Sequence, residues 1–257
     1  MRHRRPRFQK DTVAKIAPPD VMRVEIEKTR RAFDIARDCG LFRVPRVLDY
    51  DQATGTATFE RIAGIRPFFS VGHKSRPTID RIGRSLAVIH RHLSLPDEMV
   101  VPLPTEFALA GTEVFLHGDF NGANVCINAR SDEIVILDWQ MTSRHGGRAT
   151  FGSRFFDLIW FVNFMLWKPT LSYLIRDPVA PVATAFIQSY FEEARLSYDA
   201  ETLVRYARNF FQAKLPFRKQ NASWTTRYLL PRSQILTQRF VKSLETIRFL
   251  GDTRRLR

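Results

Sequence analysis

Three oxygen-bearing side chains lie close together along the chain, around two short apolar segments. Asp119 and Asn124 are five residues apart in a polar loop, and Asp138 ends a later apolar run. The segments 125–127 and 134–137 are separated by a polar turn, which predicts an antiparallel hairpin. Such a hairpin would bring Asp138 beside the loop that carries Asp119 and Asn124. Two carboxylates and an amide oxygen are ligands that Mg²⁺ prefers, with phosphate oxygens in the rest of its shell.

The residues in and around this hairpin resemble a family signature. The sequence H-G-D-F-N-G-A-N at 117–124, followed by L-D-W at 137–139, is similar to that of the aminoglycoside phosphotransferase and choline kinase-like family. The resemblance implies a two-lobed, protein-kinase-like α+β fold and a reaction that uses ATP and Mg²⁺. It also implies roles: Asp119 is the catalytic residue that orients or deprotonates an acceptor hydroxyl, and Asn124 and Asp138 bind the metal.

The segment upstream of this signature predicts a strand and a long helix. Residues 11–17 alternate as a strand, which two prolines then end. Asp20 is expected to cap a helix that runs to about Cys39, and Gly40 is expected to end it. One face of this helix carries, at a spacing of three to four residues, Met22, Glu25, Thr29, Ala32 and Ala36.

A lysine on that strand and a glutamate on that helix form a candidate pair for binding nucleotide phosphates. By resemblance Lys15 contacts the phosphates, and a glutamate holds the lysine in place. Glu25 is the first choice because it shares the helix face of Met22, whereas Glu27 projects elsewhere and is the alternative.

The nucleotide-covering end of the chain departs from the family pattern. The family has two strands and a phosphate-covering loop before the lysine strand, whereas only 14 residues precede Lys15 and none of them is glycine. The glycine-rich loop is missing, the chain begins late, or a degenerate strand replaces the loop. We therefore expect a truncated N-lobe at 1–64, with fewer backbone donors for phosphates, and a mainly helical C-lobe at 65–257.

Further site residues follow from the layout of the family. Strand 56–62 is expected to pair with strand 44–50 and to lead into the hinge that binds adenine. The expected hinge residues are Phe59, Glu60, Arg61 and Ile62. By the same resemblance His117 orients the catalytic loop, and Asp157, in a helix that starts at Phe155, braces that loop through hydrogen bonds.

The loop at 142–154 follows Asp138 and contains three glycines. The resemblance places it beside the transferred phosphate, so its basic residues are candidates for binding an anionic acceptor. These are Arg144, Arg148 and Arg154. Helices are expected elsewhere at 77–93, 183–196, 200–213 and 231–250, because apolar residues recur there at helical spacing.

An excess of basic residues bears on the choice of acceptor. The chain has 40 Lys and Arg against 26 Asp and Glu, a formal net charge of +14. Such a surplus disfavours polycationic aminoglycosides and favours an anionic small molecule or glycolipid, with peripheral contact to an anionic membrane surface. The alternative is that the basic surface reflects only the proteome from which the protein comes.

Two other classes of function stay open. A catalytically silent kinase-like binding module would fit the absent glycine-rich loop. A nucleic-acid-binding protein would fit the basic, aromatic-rich region 201–257, although the sequence has no zinc finger, RRM signature or basic zipper. The spacing of Cys39 and Cys126 suits neither a metal site nor a disulfide framework, and no apolar signal region follows the basic N-terminus. We therefore expect a cytoplasmic protein.

Overall fold

The computed structural model describes residues 6–71, 75–140, 148–167, 179–221 and 230–247. The chain divides into two compact units. The first comprises Met1–His73 and Val88–Asp157, and the second comprises Lys74–Ala87 and Leu158–Arg257. The lobe boundary that the sequence places at residue 64 stays a prediction.

The first unit contains a four-stranded antiparallel sheet with the order β1-β2-β4-β3. Its strands are β1 (Arg7–Phe8), β2 (Thr12–Ile16), β3 (Val47–Asp51) and β4 (Thr56–Glu60). The helix α1 (Pro19–Cys39) packs on this sheet, where Met22 and Ile26 meet Ala57 and Phe59 in a buried cluster. The short β1 pairs with the lysine strand β2 at the edge of the sheet.

The ends of α1 follow from its terminal residues, with one correction. Gly40 adopts the left-handed conformation and its N–H bonds to the carbonyl of Ala36, as expected for a helix stop. The prediction that Asp20 caps the N-terminus is wrong, because Pro18 occupies the cap position and Asp20 lies in the first turn. Proline is favoured at the first helical position, so the helix begins at Pro19, two residues earlier than a cap at Asp20 would give.

A second sheet carries the hairpin that the sequence predicts. It has the order β5-β7-β8, with β5 at Ile65–Pro67, β7 at Val125–Asn128 and β8 at Ile134–Ile136. Val125 pairs with Ile136 in an antiparallel register, which confirms the hairpin. All three residues of β8 are fully buried, so this continuous apolar run is covered on both faces of the strand.

A third pair of strands corrects the predicted loop at 142–154. β6 (Glu113–Phe115) pairs antiparallel with β9 (Phe151–Ser153), so the end of that segment is a strand rather than a loop. A Cβ on Gly152 would lie 2.6 Å from side-chain atoms of Leu103, so glycine permits this close packing. A three-residue strand with a central glycine has no periodicity of its own, and pairing with β6 imposes its conformation.

Six α-helices occur within the described residues, and with the small antiparallel sheets they confirm the α+β class. Besides α1 they are α2 (Arg76–His92), α3 (Phe155–Trp167), α4 (Val179–Ala194), α5 (Ala200–Asn221) and α6 (Leu230–Leu244). The predicted helices exist, but α5 continues beyond residue 213 and α6 ends at Leu244 instead of near residue 250. In the part of the chain that is described, no helix is both long and apolar enough to cross a membrane.

Candidate active site

One lysine joins two carboxylates that lie far apart in the sequence. Nζ of Lys15 on β2 lies 2.5 Å from Oε1 of Glu25 on α1 and 2.8 Å from Oδ1 of Asp138. Burial lowers the pKa of Lys15, but the charges of Asp138 and Glu25 outweigh burial and hold the pKa above its usual range. The ammonium group is therefore charged at neutral pH and holds the strand, the helix and the end of the hairpin together.

The structure separates the two glutamates that the sequence left as alternatives. Glu25 pairs with Lys15, whereas Oε1 of Glu27 accepts a hydrogen bond from Arg31 at 2.6 Å. The Glu25 side chain is 2% exposed, and burial raises its pKa against the attraction of Lys15. Among the described residues its second oxygen, Oε2, is buried without a hydrogen-bond partner.

Asp138 reaches the lysine because the chain changes direction after β8. The N–H of Leu137 donates to the carbonyl of Asn124 at 2.9 Å, which continues the hairpin up to Asp138. Asp138 itself has φ +55°, a left-handed conformation that costs a residue other than glycine roughly 1–3 kcal/mol. Its side chain is 44% exposed. The strained backbone therefore lies at the residue whose carboxylate, that of Asp138, faces the cavity.

The carboxylate of Asp119 is held by two amide groups of its own loop. Asn121 donates from Nδ2 to Oδ1 of Asp119, and Asn124 donates from Nδ2 to Oδ2, both at 2.9 Å. The sequence reasoning missed Asn121, which is 3% exposed and also accepts a hydrogen bond from the N–H of Ala123. Its only signal in the sequence is a second asparagine within the loop. The two amides fix the orientation of the carboxylate.

His117 connects the Asp119 loop to the hairpin end. Its Nδ1 accepts a hydrogen bond from the N–H of Asp119 at 3.2 Å, and its Nε2 lies 3.1 Å from the carbonyl oxygen of Leu137. Burial lowers the pKa of His117 to about 4, so the ring is neutral at pH 7. A neutral ring with its proton on Nε2 satisfies both contacts. The role of His117 in orienting the loop stays a prediction.

Asp157 binds the backbone of the loop that carries Asp119. It accepts the N–H groups of His117 and Gly118 at 2.8 Å and 3.0 Å, and its Oδ2 lies 3.1 Å from Nε2 of His90. Burial would raise the pKa of Asp157, but the hydrogen bond from His90 and the charge of Lys28 help to lower it overall. The fully buried carboxylate therefore stays ionised and holds the backbone that precedes Asp119.

A cavity of about 500 Å³ opens beside these groups. Lys15, Asn124 and Asp138 form its polar end. Its apolar wall includes Val13, Phe59, Ile62, Leu137 and Trp139. A planar base between apolar side chains and a phosphate chain at the polar end would match this distribution of groups.

All four expected hinge residues line this cavity, but two of their side chains have protein partners. The carboxylate of Glu60 pairs with Arg43, and the guanidinium of Arg61 donates to the carbonyl of Gln9 at 2.7 Å. The side chains of Phe59 and Ile62 remain as apolar surfaces. Any polar recognition at this edge therefore falls to the backbone.

The three arginines expected to bind an acceptor are not brought together by the contacts that are described. Arg148 is 2.7 Å from Asp20, at the start of α1. Nε of Arg154 donates to the carbonyl of Thr112 at 3.2 Å. Arg144 lies outside the described residues. A joint role of these residues stays a prediction.

The chemistry of Asn124 and Asp138 fits a magnesium ion. Both side chains line the cavity and offer oxygens, and Asp138 already attracts the cationic group of Lys15. Within the described ranges no group of three or more His, Cys, Asp or Glu could hold a metal. One amide and one carboxylate suit Mg²⁺, which keeps water and phosphate oxygens as its other ligands.

Comparison with known proteins agrees with this geometry. Residues 102–200 match the model of the phosphotransferase enzyme family, a range that includes Asp119, Asn124 and Asp138. No curated protein sequence matches the chain significantly. The match confirms the resemblance that the residues at 117–124 and 137–139 predict.

Solved structures show the fold. A choline/ethanolamine kinase family protein from Mesorhizobium loti aligns with a TM-score of 0.56 at 16% identity, over 95% of this chain and 88% of that one. The AMP-bound complex of a spectinomycin phosphotransferase gives a TM-score of 0.52 at 13% identity, over 92% and 87%. Choline kinase from Streptococcus pneumoniae gives 0.50 at 12% identity, over 93% and 88%.

These observations define the fold of the protein and the family that its central part resembles. The α+β fold is protein-kinase-like, and the central part of the chain carries the phosphotransferase family pattern. The identity to each of the three structures is below 20%, so they bear on the fold alone.

Proposed function

We propose that the protein is an ATP-dependent kinase that transfers the γ-phosphoryl group to a hydroxyl of a small molecule. The observation that carries the proposal is the position of Lys15, whose ammonium lies between Glu25 and Asp138 at the polar end of the cavity. A lysine held in this way supports the proposal, because its ammonium group could contact nucleotide phosphates.

In the proposed reaction Asp119 accepts the proton of the acceptor hydroxyl as the hydroxyl oxygen attacks the γ-phosphorus. The bond from phosphorus to the bridging oxygen breaks, and ADP leaves. The amides of Asn121 and Asn124 hold the carboxylate for this step. A positioned base typically contributes about 10²–10⁴ in rate. Mg²⁺, when bound by Asn124 and Asp138, would offset the charge of the phosphate oxygens.

The nature of the acceptor is the finer part of the proposal. The net charge of +14 supports an anionic hydroxyl compound, either a small molecule or a glycolipid met at an anionic membrane surface. Cys39 and Cys126 are free thiols, which supports a reducing, cytoplasmic location. Nucleic acid remains a disfavoured partner, because the sequence has no zinc finger, RRM signature or basic zipper.

An ATP-consumption screen across acceptors tests the proposal. The panel holds sugars, sugar phosphates, amino alcohols, nucleosides and a lipid-linked sugar in anionic vesicles, each with wild type and with Asp119→Asn. We expect turnover with at least one acceptor that is abolished in the variant. Turnover that survives Asp119→Asn, or wild type that neither binds nor consumes ATP, would contradict it.

A silent binding module is the second candidate function. The observation in its favour is the turn from β1 to β2, at residues 9–11, which contains no glycine and is tied to Arg61 through the carbonyls of Gln9 and Lys10. Thermal-shift measurements with ATP and Mg²⁺ separate the two candidates. Binding by wild type that Asp138→Ala weakens, without turnover in either protein, would favour the module.

A further inference from the structure

A second lysine, on the buried side of α1, contacts the loop that carries Asp119. Lys28 is 1% exposed, and its Nζ donates a hydrogen bond of 2.6 Å to the backbone carbonyl of His117. Lys28 follows Glu25 by three residues, so both side chains project from adjacent positions of one helical turn. The same turn of α1 therefore holds Lys15 through Glu25 and the catalytic loop through Lys28.

Burial of this lysine has an energetic cost that packing does not explain. An ammonium group removed from water is destabilising unless it is paired and hydrogen-bonded. Burial lowers the pKa of Lys28 to about 8, although the charges of Asp157, Glu25, Asp138 and Asp119 oppose the shift. An apolar side chain of similar length would fill the same space at lower cost. The retained ammonium points to a role in the site.

The position of the accepted carbonyl defines that role. The backbone N–H of His117 donates to Asp157, and its carbonyl accepts from Lys28. Its Nδ1 accepts from the N–H of Asp119, and its Nε2 faces the carbonyl of Leu137. Lys28 supplies the only one of these bonds that comes from α1. Without it, the loop backbone before Asp119 keeps its support from Asp157 but loses its link to the helix that carries Glu25.

We propose that Lys28 is a positioning residue that fixes the Asp119 loop to α1, so that Asp119 and the Lys15–Glu25 pair keep one relative geometry. The expected loss of kcat rests on the proposed phosphotransfer. The hydrogen bond that ties the loop to α1 does not, because it can be observed without turnover.

The test compares Lys28→Met with Arg30→Met. Methionine fills the space of the lysine side chain up to the ε position and removes the donor. Arg30 is an exposed residue of the same helix, so the control also removes one positive charge. We expect Lys28→Met to lower kcat by about 10- to 100-fold and, because the buried carbonyl of His117 loses its donor, to lower the melting temperature more than Arg30→Met does. Hydrogen exchange of a peptide spanning 117–124 should be faster in this variant and unchanged in Arg30→Met.

Each outcome decides the matter. A kcat within twofold of wild type in Lys28→Met overturns the proposal, whatever the exchange shows. If wild type itself shows no turnover with any acceptor, the proposed function fails, and unchanged exchange in 117–124 would then overturn the tether by itself.

A measurement on wild type covers the case in which Lys28→Met does not fold. The chain contains eight lysines, so ¹⁵N-lysine labelling gives a simple spectrum. A side-chain ammonium that is buried and bonded to a carbonyl exchanges slowly with water. Lys15 is ion-paired and Lys214 is buried, so their Nζ groups can also give protected signals. We expect one of the protected signals to be lost in Lys28→Arg and all of them to be kept in Lys10→Arg. A set of protected signals that is unchanged in Lys28→Arg, or the absence of any protected signal in wild type, overturns the proposal.

Discussion

The backbone nitrogen of Asp119 lies 3.2 Å from Nδ1 of His117, two residues earlier in the chain. The other ring nitrogen lies 3.1 Å from the carbonyl of Leu137, the residue before Asp138. A single neutral imidazole thus spans the loop that bears the proposed base and the strand end that bears the proposed metal ligand. The geometry of these two carboxylates depends on one ring.

Replacement of His117 by phenylalanine tests this dependence. Phenylalanine retains the ring that packs on Trp139, at a centroid distance of 4.5 Å, but it can neither accept from Asp119 nor donate to Leu137. Loss of these bonds, each worth about 1–3 kcal/mol when a buried partner is left unsatisfied, should lower kcat by about 10- to 100-fold. The affinity for ATP, measured by calorimetry, should change less than threefold. A variant with wild-type kcat would contradict the bridging role.

The same histidine makes the fold sensitive to acid. Its pKa is about 4 in the folded chain against an ordinary value of 6.5, so the unfolded chain binds the proton first as pH falls. The stabilising contribution is complete above pH 6.5 and is lost as pH falls towards 4. By linkage this shift is worth about 3 kcal/mol. Buried His90, whose pKa burial also lowers, adds to the loss in the same direction.

Urea unfolding between pH 4 and pH 7.5 measures this effect. His117→Phe should flatten part of the pH dependence of the unfolding free energy. His92→Gln is the matched control, because His92 is exposed and should leave the curve unchanged. Equal pH slopes in wild type and His117→Phe would show that another group controls the acid limb.

A pair of glutamate variants tests the ion network at Lys15. Glu25→Gln removes the charge that holds Lys15, so we expect kcat/KM for ATP to fall by about 10-fold or more. Glu27→Gln removes a charge two residues away that pairs only with Arg31 among the described residues, and it should stay within twofold of wild type. Initial rates at varied ATP concentration give kcat/KM for ATP in wild type and in both variants. An equal loss in both variants would mean that net charge, not the contact with Lys15, matters.

Helical and strand periodicity predicted much of this site. The hairpin that brings Asp138 to Asn124 follows from two apolar segments around a polar turn, and the choice of Glu25 over Glu27 follows from the helix face shared with Met22. Periodicity works for these residues because their neighbours in sequence determine which side of an element they occupy.

Contacts between distant segments could not be predicted in the same way. Lysine is almost always exposed, so Lys28 gives no sign in the sequence that it reaches the carbonyl of His117. Asn121 has the composition of an ordinary turn residue, and its contact with Asp119 depends on the loop conformation. The strand β9 forms only because β6 lies beside it.

The two asparagines of the loop should differ in what they contribute. Asn121 and Asn124 each donate to one oxygen of Asp119, but only Asn124 lines the cavity next to Asp138. Both Asn121→Ala and Asn124→Ala should therefore lower kcat, by about 10-fold or more for a lost bond to a charged group. Only Asn124→Ala should also raise the Mg²⁺ concentration needed for half-maximal rate. Rates at fixed ATP and varied Mg²⁺ separate these effects. A raised Mg²⁺ requirement in Asn121→Ala, or an unchanged one in Asn124→Ala, would move the metal away from the position proposed for it.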